Sequence, residues 1–204
     1  MTIIAAADGS ALGNPGPAGW AWYVDENCWA AGGWPESTNN RGELTAVLEL
    51  LRATAGTGED LLIQADSQYV INSLTKWRHG WKKRGWRKAD GKPVLNDDLM
   101  KALDAALAGR TVRFEWVRGH VGHPLNEAAD SRARAAATAY QQGRTVSAGP
   151  GWPGAGGDAG GARGSVTAGA EGSESSAASS DAEVVPGATA ARRARLRQDE
   201  GMLF

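Results

Sequence analysis

Alternating apolar and polar positions predict a chain that begins with three β-strands. Residues 2–7 form a β-rich run that ends at Asp8, and a long turn rich in glycine and proline follows. Two aromatic-rich runs, 19–25 and 28–34, flank the dipeptide Glu26-Asn27, which is typical of a β-hairpin.

Helical periodicity begins after this hairpin. The first helix is predicted by four apolar residues at the spacing i, i+3, i+4 and i+7, namely Leu44, Val47, Leu48 and Leu51. Gly56 and Gly58 end it. A short apolar strand over residues 61–65 then stops at Asp66, and the apolar residues through Leu74 predict a second helix.

Two more helices and a fifth strand complete the predicted fold. Asn96 is a favourable N-cap for a helix that Gly109 closes, and residues 111–117 alternate as a strand. Pro124 occupies the first position of an alanine-rich helix that runs through Tyr140. Three strands followed by alternating helices and strands predict an α/β fold with a five-stranded mixed sheet and helices on both faces.

Composition changes sharply near residue 144. Between residues 145 and 191, 33 of the 47 residues are Gly, Ala, Ser or Pro, and large apolar residues are sparse. Such a segment buries too little apolar surface to offset the conformational entropy lost on ordering. We therefore predict a folded domain over residues 1–144, a disordered linker over 145–191 and a basic end segment over 192–204.

Charge and cysteine content exclude several classes of protein. Lys and Arg total 22 and Asp and Glu total 23, so nucleic-acid binding must rest on local clusters of charge. The single cysteine, Cys28, excludes an internal disulfide framework and a cysteine-rich zinc module. No apolar run approaches about 20 residues and the N-terminus lacks the features of a signal peptide, which predicts a cytoplasmic protein without membrane contact.

Four acidic residues stand out by their positions in the predicted elements, namely Asp8, Glu43, Asp66 and Asp130. Any one of them alone is typical of a turn residue or of a charge that complements a helix dipole. Together they can converge at one edge of the sheet, where carboxylates repel one another unless a cation neutralises them. Oxygen ligands without cysteine suit Mg²⁺ or Mn²⁺, and paired ions of this kind typically serve phosphodiester hydrolysis.

Five sequence blocks around these acids resemble ribonuclease HI, in the same order along the chain. The blocks are Asp8-Gly9-Ser10, Gly13-Asn14-Pro15-Gly16-Pro17-Ala18-Gly19, Thr38-Asn39-Asn40-Arg41-Gly42-Glu43-Leu44, Asp66-Ser67-Gln68-Tyr69-Val70 and the segment from Trp116 to Asp130. The resemblance covers residues 1 to about 142. It implies the ribonuclease H-like fold and an endonuclease that cuts the RNA strand of RNA–DNA hybrids.

The resemblance also implies a set of metal ligands, which are Asp8, Glu43, Asp66 and Asp130. It implies two Mg²⁺ ions, for which Mn²⁺ can substitute, with Asp8 bridging both. Asp130 would help to hold the ion that activates water, and Glu43 and Asp66 would hold the other. In-line attack of water on the scissile phosphate would leave 5′-phosphate and 3′-hydroxyl ends.

Two further positions take their interpretation from the same family. His120 matches a loop histidine that assists proton transfer or product release, and the alternative is a solvated loop residue. Gly42 stands where the family commonly has a larger residue. Glycine inside a helix costs about 1 kcal/mol relative to alanine, so we expect Gly42 to loosen Glu43 slightly.

A basic segment over residues 76–92 combines eight Lys or Arg with one acid and three tryptophans. Basic groups neutralise phosphates, and aromatic faces pack on sugars or bases. The alternative is a solvated charged face, which has no need of tryptophan. The segment resembles the basic protrusion by which some bacterial ribonucleases HI grip the DNA strand. We place Trp77 in the core and predict contacts from Trp81, Lys82, Lys83, Arg84, Trp86, Arg87 and Lys88.

Polar side chains beside the acids are candidates for further contacts with the hybrid. Asn14, Asn40 and Gln68 carry donors and acceptors suited to 2′-hydroxyl groups in the minor groove. Thr38 and Asn96 match positions that form a DNA-phosphate pocket in the family. Asn96 could equally be only a helix cap.

The end of the chain offers a candidate for binding a protein partner. Leu203 and Phe204 follow a basic stretch over residues 192–197 and resemble the peptide by which bacterial replication and repair proteins dock on the sliding clamp. The match is imperfect because Glu200 stands where glutamine is preferred. The alternative is an accidental frayed end.

The leading hypothesis is a monomeric, metal-dependent endonuclease for hybrids. A strand-transferring nuclease of the wider superfamily would carry a flanking DNA-binding domain, which is not visible in the sequence. A non-catalytic hybrid-binding module would have lost a carboxylate, and all four are kept.

Overall fold

The computed structural model describes residues 1–119 and 121–153. Its strands are β1 (Thr2–Ala11), β2 (Gly16–Asp25), β3 (Cys28–Ser37), β4 (Asp60–Ala65) and β5 (Val112–Trp116). They form one mixed sheet in the order β3-β2-β1-β4-β5, in which β1, β2 and β3 pair antiparallel and β1, β4 and β5 pair parallel. The predicted α/β fold with a five-stranded mixed sheet is confirmed.

The helices are α1 (Asn39–Ala53), α2 (Gln68–Asn72), α3 (Arg78–Lys83), α4 (Asp97–Leu107) and α5 (Pro124–Gln141). A π-helical turn, Ser73–Trp77, joins α2 to α3. Helix α1 begins five residues before the predicted apolar face, because the Thr38 hydroxyl caps it by accepting a hydrogen bond from the backbone N of Arg41. Within the described residues, no helix has the length and apolarity needed to cross a membrane.

The two faces of the sheet are packed very differently. Alternate strand residues pack with α1 and α4 into a large core that includes Trp22, Leu44 and Ile63. The opposite residues meet α5 almost entirely through alanines, among them Ala133 and Ala136. Small side chains let a helix approach the sheet closely, so α5 lies near the strand backbones.

Helix α1 touches the sheet backbone to backbone. A Cβ on Gly42 would lie 2.7 Å from the carbonyl oxygen of Gly19, and a Cβ on Gly9 would overlap the backbone N of Glu43. On the other face, a Cβ on Gly19 would overlap the carbonyl oxygen of Ala133 in α5. Gly42 therefore has a packing role opposite to the loosening expected from helix propensity.

Residues 145–153, which we name the C-terminal strap, pack along the edge strand β3. Ala31 donates its backbone N–H to Ala148 O at 3.1 Å, and Gly151 donates to Trp29 O at 3.0 Å. The Trp152 ring lies 6.5 Å from that of Trp22, with Trp152 against the large core. The packed part of the chain thus extends nine residues beyond the predicted boundary at residue 144, because Val146 and Trp152 of the strap pack against the hydrophobic core clusters. Residues 154–204, with the rest of the predicted linker and the end segment, lie outside the described residues.

We expect Gly42→Ala to lower the free energy of unfolding by about 1–3 kcal/mol, because the new methyl group must push α1 away from the sheet. Helix propensity alone predicts a gain of about 1 kcal/mol. Gly56→Ala is the matched control, since a Cβ there meets no atom of the described residues within 4 Å. Urea unfolding of both variants measures the difference, and a stabilised Gly42→Ala protein would contradict the packing role.

Candidate active site

Three carboxylates meet at one edge of the sheet. Strand β1 does not end at Asp8, as predicted, but continues through it to Ala11; Asp66 directly follows β4, and Glu43 lies in the second turn of α1. Because β4 lies beside β1 and α1 packs on β1, one oxygen from each of the three side chains lies within 4.8 Å of the other two. The structure therefore brings Asp8, Glu43 and Asp66 together.

The fourth predicted acid, Asp130, lies in α5 and is half-buried. Its negative charge contributes to raising the pKa of Asp8. Asp130 therefore belongs to the same electrostatic cluster as Asp8, although it comes from the opposite face of the sheet from α1.

Burial and mutual repulsion raise the pKa of two of these acids. Asp8 is 5% exposed, and its burial, together with the negative charges of Asp66, Asp130 and Glu43, raises its pKa to about 8. Burial is also the main cause that raises the pKa of Glu43 to about 7, with a further contribution from Asp66. The cluster is electrostatically strained when every acid is ionised.

Two hydrogen bonds orient the buried carboxylates. The backbone N of Gly9 donates to Asp8 Oδ1 at 2.7 Å, and Asn39 Nδ2 donates to Glu43 Oε1 at 2.7 Å. Asn39 was not among the predicted site residues. Its spacing of four residues from Glu43 would have placed the two side chains on one helix face once the helix start was known.

The site suits a divalent cation. Glu43 Oε2 is buried and has no partner at hydrogen-bond geometry among the described residues, although the Ser67 side chain lies near enough to lower the pKa of Glu43. An orphaned buried carboxylate oxygen is costly unless a ligand satisfies it. Three carboxylates without cysteine or histidine among them form the hard donor set that Mg²⁺ and Mn²⁺ prefer. The residues present therefore fit such an ion.

The wall of the site around Asp66 is built by β5 and the loop after it. Trp116 Nε1 donates to the backbone oxygen of Asp66 at 3.0 Å, and the Trp116 side chain is half exposed. A Cβ on Gly119 would overlap the carboxylate of Asp66, so a larger residue there would require that carboxylate to turn from its present position. Neither Trp116 nor Gly119 was predicted as a site residue.

The predicted polar contacts lie in elements that carry the carboxylates or directly follow them: Asn14 in the loop after β1, Asn40 in α1 and Gln68 at the start of α2. Asn14 and Gln68 are exposed, and Asn40 is half-buried. Asn14 Oδ1 accepts a hydrogen bond from the backbone N of Asn39 at 3.2 Å, which ties the loop after β1 to the start of α1. Its amide NH₂ group remains the donor that it can offer a ligand.

Asn96 occupies the N-cap position of α4, but its side chain makes no capping hydrogen bond. The backbone there is left-handed, with φ 55°, and Asn96 Oδ1 instead accepts from Arg41 Nη1 at 3.4 Å. Of the two predicted roles for this side chain, the structure does not show the helix cap. Thr38 does cap α1, and α1 and α4 approach each other here.

The basic segment folds as α3 followed by a hairpin-like loop over residues 84–94, in which Arg87 forms an antiparallel bridge with Pro93. Trp77, which we placed in the core, is 42% exposed, whereas Trp81 and Trp86 are half-buried against the large core. The π-helical turn explains why Trp77 is more exposed than predicted. Its extra residue shifts the helical phase, and so changes which side chains face the core. Trp77 is thus the most exposed aromatic side chain of the segment.

The cations of the segment fall into two groups. Lys82 Nζ and Arg78 Nη1 bind the two carboxylate oxygens of Asp104 at 2.6 and 2.5 Å, which anchors α3 to α4. Four other cations predicted to contact the hybrid are exposed and form no ion pair within the described part of the chain, namely Lys83, Arg84, Arg87 and Lys88. Lys82 is therefore committed to a structural contact. Arg84 Nε and Arg87 Nη1 each donate to a backbone oxygen of the segment, but the charges of these four side chains are not paired with an acid among the described residues.

Three predicted site residues, His120, Leu203 and Phe204, lie outside the described residues.

Comparisons with known proteins agree on one family. The model of the RNase H family matches residues 2–138. The ribonuclease H of Tropheryma whipplei (strain Twist) is 60% identical over 150 residues, which cover 74% of this chain and 93% of that protein. The ribonuclease H of Paracoccus denitrificans (strain Pd 1222) is 45% identical over 150 residues, covering 70% of this chain and 96% of its own.

Solved structures give the same result. The crystal structure of LC9-RNase H1, a type 1 RNase H with the type 2 active-site motif, is similar with a TM-score of 0.57 and 32% sequence identity. The match covers 73% of this chain and 77% of that one. These similarities span the part of the chain that carries the carboxylate cluster.

The raised pKa values predict how stability depends on pH without metal. In the unfolded chain, the carboxyl groups of Asp8 and Glu43 lose their protons near pH 4. In the folded chain, they keep their protons up to about pH 8 and pH 7. The folded state therefore binds more protons in this window, and the free energy of unfolding falls as the pH rises through it. The two pKa values lie about three and two units above pH 5, and each unit corresponds to about 1.4 kcal/mol, so we expect a loss of several kcal/mol between pH 5 and 9.

Asp8→Asn tests this explanation, because the amide removes the charge and keeps an acceptor for the N–H of Gly9. We expect it to raise the free energy of unfolding at pH 8 by about 1–2 kcal/mol in EDTA and to flatten the pH dependence. Asp90→Asn, at an exposed position in the basic segment, is the control and should do neither. Mg²⁺ should raise the melting temperature of the wild type more than that of Asp8→Asn, and equal shifts would count against a cation at the cluster.

Proposed function

The chain belongs to the RNase H family and is a ribonuclease H enzyme, and we propose from this premise that it hydrolyses the RNA strand of RNA–DNA hybrids. The observation that carries the proposal is the buried cluster of Asp8, Glu43 and Asp66. Neighbouring ionised carboxylates that repel one another are a poor structural device, but they are the donor set needed to bind cations beside a phosphate.

Asp8, Glu43, Asp66 and Asp130 would hold two Mg²⁺ ions, for which Mn²⁺ can substitute. The chemistry that such ions supply when bound is the activation of water and the neutralisation of charge on the scissile phosphate. Cleavage would leave 5′-phosphate and 3′-hydroxyl ends.

The chain's own residues prepare this site. Gly9 and Asn39 each donate a hydrogen bond to a buried carboxylate, so that Asp8 and Glu43 are oriented before a ligand arrives. The indole of Trp116 fixes the backbone at Asp66 in the same way. His120, which lies outside the described residues, would assist proton transfer or product release.

Discrimination between RNA and DNA would come from side-chain amide groups near the carboxylate cluster. Asn14, Asn40 and Gln68 each combine donors with an acceptor, as recognition of a 2′-hydroxyl requires. The hydrogen bond from Asn39 to Asn14 supports this role, because it fixes the loop residue relative to the carboxylates.

The basic segment would hold the DNA strand. The exposed cations Lys83, Arg84, Arg87 and Lys88 would neutralise phosphates, and Trp81 and Trp86 would line the surface between them. The 42% exposure of Trp77 adds an aromatic face that was not among the predicted contacts.

Docking of Leu203 and Phe204 on a sliding clamp, a monomeric state and a cytoplasmic location are further parts of the proposal. They are supported by the sequence pattern alone.

A cleavage assay tests the proposed function. We expect the protein to cut the labelled RNA strand of an RNA–DNA hybrid with Mg²⁺ present, to stop in EDTA, and to leave RNA–RNA and DNA–DNA duplexes intact. Asp66→Asn should reduce turnover by at least about a thousandfold, because it removes a ligand from the cluster. Asp97→Asn, which removes an exposed acid of α4, is the control and should keep wild-type turnover.

The products of this assay are equally informative. Extension of the cut RNA by a polymerase tests for a 3′-hydroxyl end, and degradation by an exonuclease that requires a 5′-phosphate tests the other end. Cleavage that persists in EDTA or in Asp66→Asn would refute the proposed chemistry.

The grip on the hybrid is tested by salt dependence. We expect replacement of Lys83, Arg84, Arg87 and Lys88 by Ala to raise KM far more than it lowers kcat. The slope of log affinity against log salt should flatten by about one unit for each phosphate that the protein no longer neutralises. Lys101→Ala, at an exposed cation of α4 that pairs with Asp97, should leave the slope unchanged. A quadruple variant with the wild-type slope would show that these cations only face solvent.

A further inference from the structure

Arg41, in the first turn of α1, forms a two-point ion pair with the first turn of α4. Its Nη1 and Nη2 donate to Oδ1 and Oδ2 of Asp98 at 3.2 and 2.6 Å. The guanidinium lowers the pKa of Asp98 below its ordinary value, so the aspartate stays charged. A guanidinium bound to a carboxylate by two hydrogen bonds has a fixed plane and a fixed direction.

The same arginine occupies an acceptor atom on each residue of the predicted phosphate pocket. Its backbone N–H donates to Thr38 Oγ1 at 3.3 Å, and its Nη1 donates to Asn96 Oδ1 at 3.4 Å. A hydroxyl that accepts still has a proton to give, and an amide whose oxygen is engaged still has its NH₂ group. Both side chains are thereby left with donors.

The orientation of the Asn96 amide depends on this contact. The side chain makes no capping bond that would orient it otherwise, and Nδ2 is buried without a partner among the described residues. The reversed amide would set its NH₂ donors against the N–H donors of Arg41, which is unfavourable. Arg41 therefore determines that the oxygen of the amide is engaged and that its NH₂ donors are left without a partner among the described residues.

We propose that Arg41, held by Asp98, is a positioning residue that presents the Asn96 amide NH₂ and the Thr38 hydroxyl as donors to one phosphate oxyanion of the DNA strand. This proposal rests on the proposed function, in which the bound ligand is a hybrid. Arg41 directs its own fork at Asp98, and its contribution is the direction of the neighbouring donors. Because Nδ2 is buried, the proposal requires the Asn96 side chain to turn toward the oxyanion when the hybrid binds.

Removal of Asp98 distinguishes positioning from simple electrostatics, because the two predict opposite changes in the affinity for the hybrid. Asp98 is an anion beside a site for an anion, so by charge alone its loss should tighten binding of the hybrid. Positioning predicts weaker binding, because an unpaired Arg41 no longer holds the Asn96 oxygen.

The first experiment compares Asp98→Ala with Asp97→Ala. The control removes the neighbouring acid from the same turn of α4, where Asp97 pairs with Lys101 at 2.6 Å. We measure KM and kcat for hybrid cleavage in Mg²⁺, and Kd for a fluorescent hybrid in EDTA. We expect Asp98→Ala to raise KM and Kd about 3- to 10-fold with kcat within about twofold, and Asp97→Ala to leave both unchanged or lower.

Melting temperatures verify that both variants are folded. Equal changes of Kd in the two variants, or a lower Kd in Asp98→Ala, would overturn the proposal. Because Kd is measured without metal, it decides the matter even for a protein that cleaves no hybrid, and such a lack of cleavage would count against the proposed function instead.

The second experiment replaces single DNA phosphates by neutral methylphosphonates. In the wild type, we expect one position to raise Kd about tenfold. The Arg41→Gln variant should already bind the unmodified hybrid more weakly. It should show no further weakening when that phosphate is neutral, since the donors of Asn96 and Thr38 are no longer directed at it. Arg52→Gln, which removes an exposed arginine of α1 paired with Glu49, is the control and should respond like the wild type.

Two outcomes of the second experiment contradict the proposal. One is that Arg41→Gln and each methylphosphonate raise Kd by factors that multiply at every position, which would show that the two changes act independently. The other is a wild type that is insensitive to methylphosphonate at every position, which would remove the phosphate contact itself.

Discussion

The close contact between α1 and the sheet is the constraint on which the site depends. At Gly9, Gly19 and Gly42 the helix and the strands meet through their backbones, and any Cβ there would press on a main-chain atom. This contact places Glu43 of α1 within 4.8 Å of Asp8 and Asp66 at the level of their carboxylate oxygens. A Cβ on Gly42 would lie 2.7 Å from the carbonyl oxygen of Gly19, so in this chain a larger residue there requires α1 or the strand to shift.

The same contact creates an electrostatic cost. Carboxylates brought together and buried repel one another, which is why the pKa of Asp8 rises to about 8 and that of Glu43 to about 7. The N–H of Gly9 and the amide of Asn39 offset only part of this cost, and Glu43 Oε2 finds no partner among the described residues. A fold that holds such a cluster together favours whatever cation can neutralise it.

Packing on the opposite face and at the edge supports this arrangement. The alanines of α5 let that helix approach the backbone at Gly19, and this approach brings the charge of Asp130 close enough to act on Asp8. The strap over residues 145–153 covers the edge strand β3, where Gly151 pairs with Trp29. Covering an edge strand also removes a surface on which other chains could pair.

Local pattern was sufficient for the elements and for the identity of the acids. Apolar periodicity located the five strands and the main helices, and the motifs around Asp8, Glu43 and Asp66 singled out the residues that the structure brings together. Both are short-range properties, because the period of a helix or strand and the order of residues in a motif can be read within a few positions.

Only the tertiary structure decided which side chains are exposed, paired or tightly packed. Trp77 is exposed because of a π-helical turn, Lys82 is bound to Asp104, and Arg41 reaches Asp98 across 57 positions of the chain. The packing role of Gly42 likewise depends on Gly19, in another element. Partners of this kind come together only when elements dock, and local periodicity carries no information about which distant residue will lie opposite.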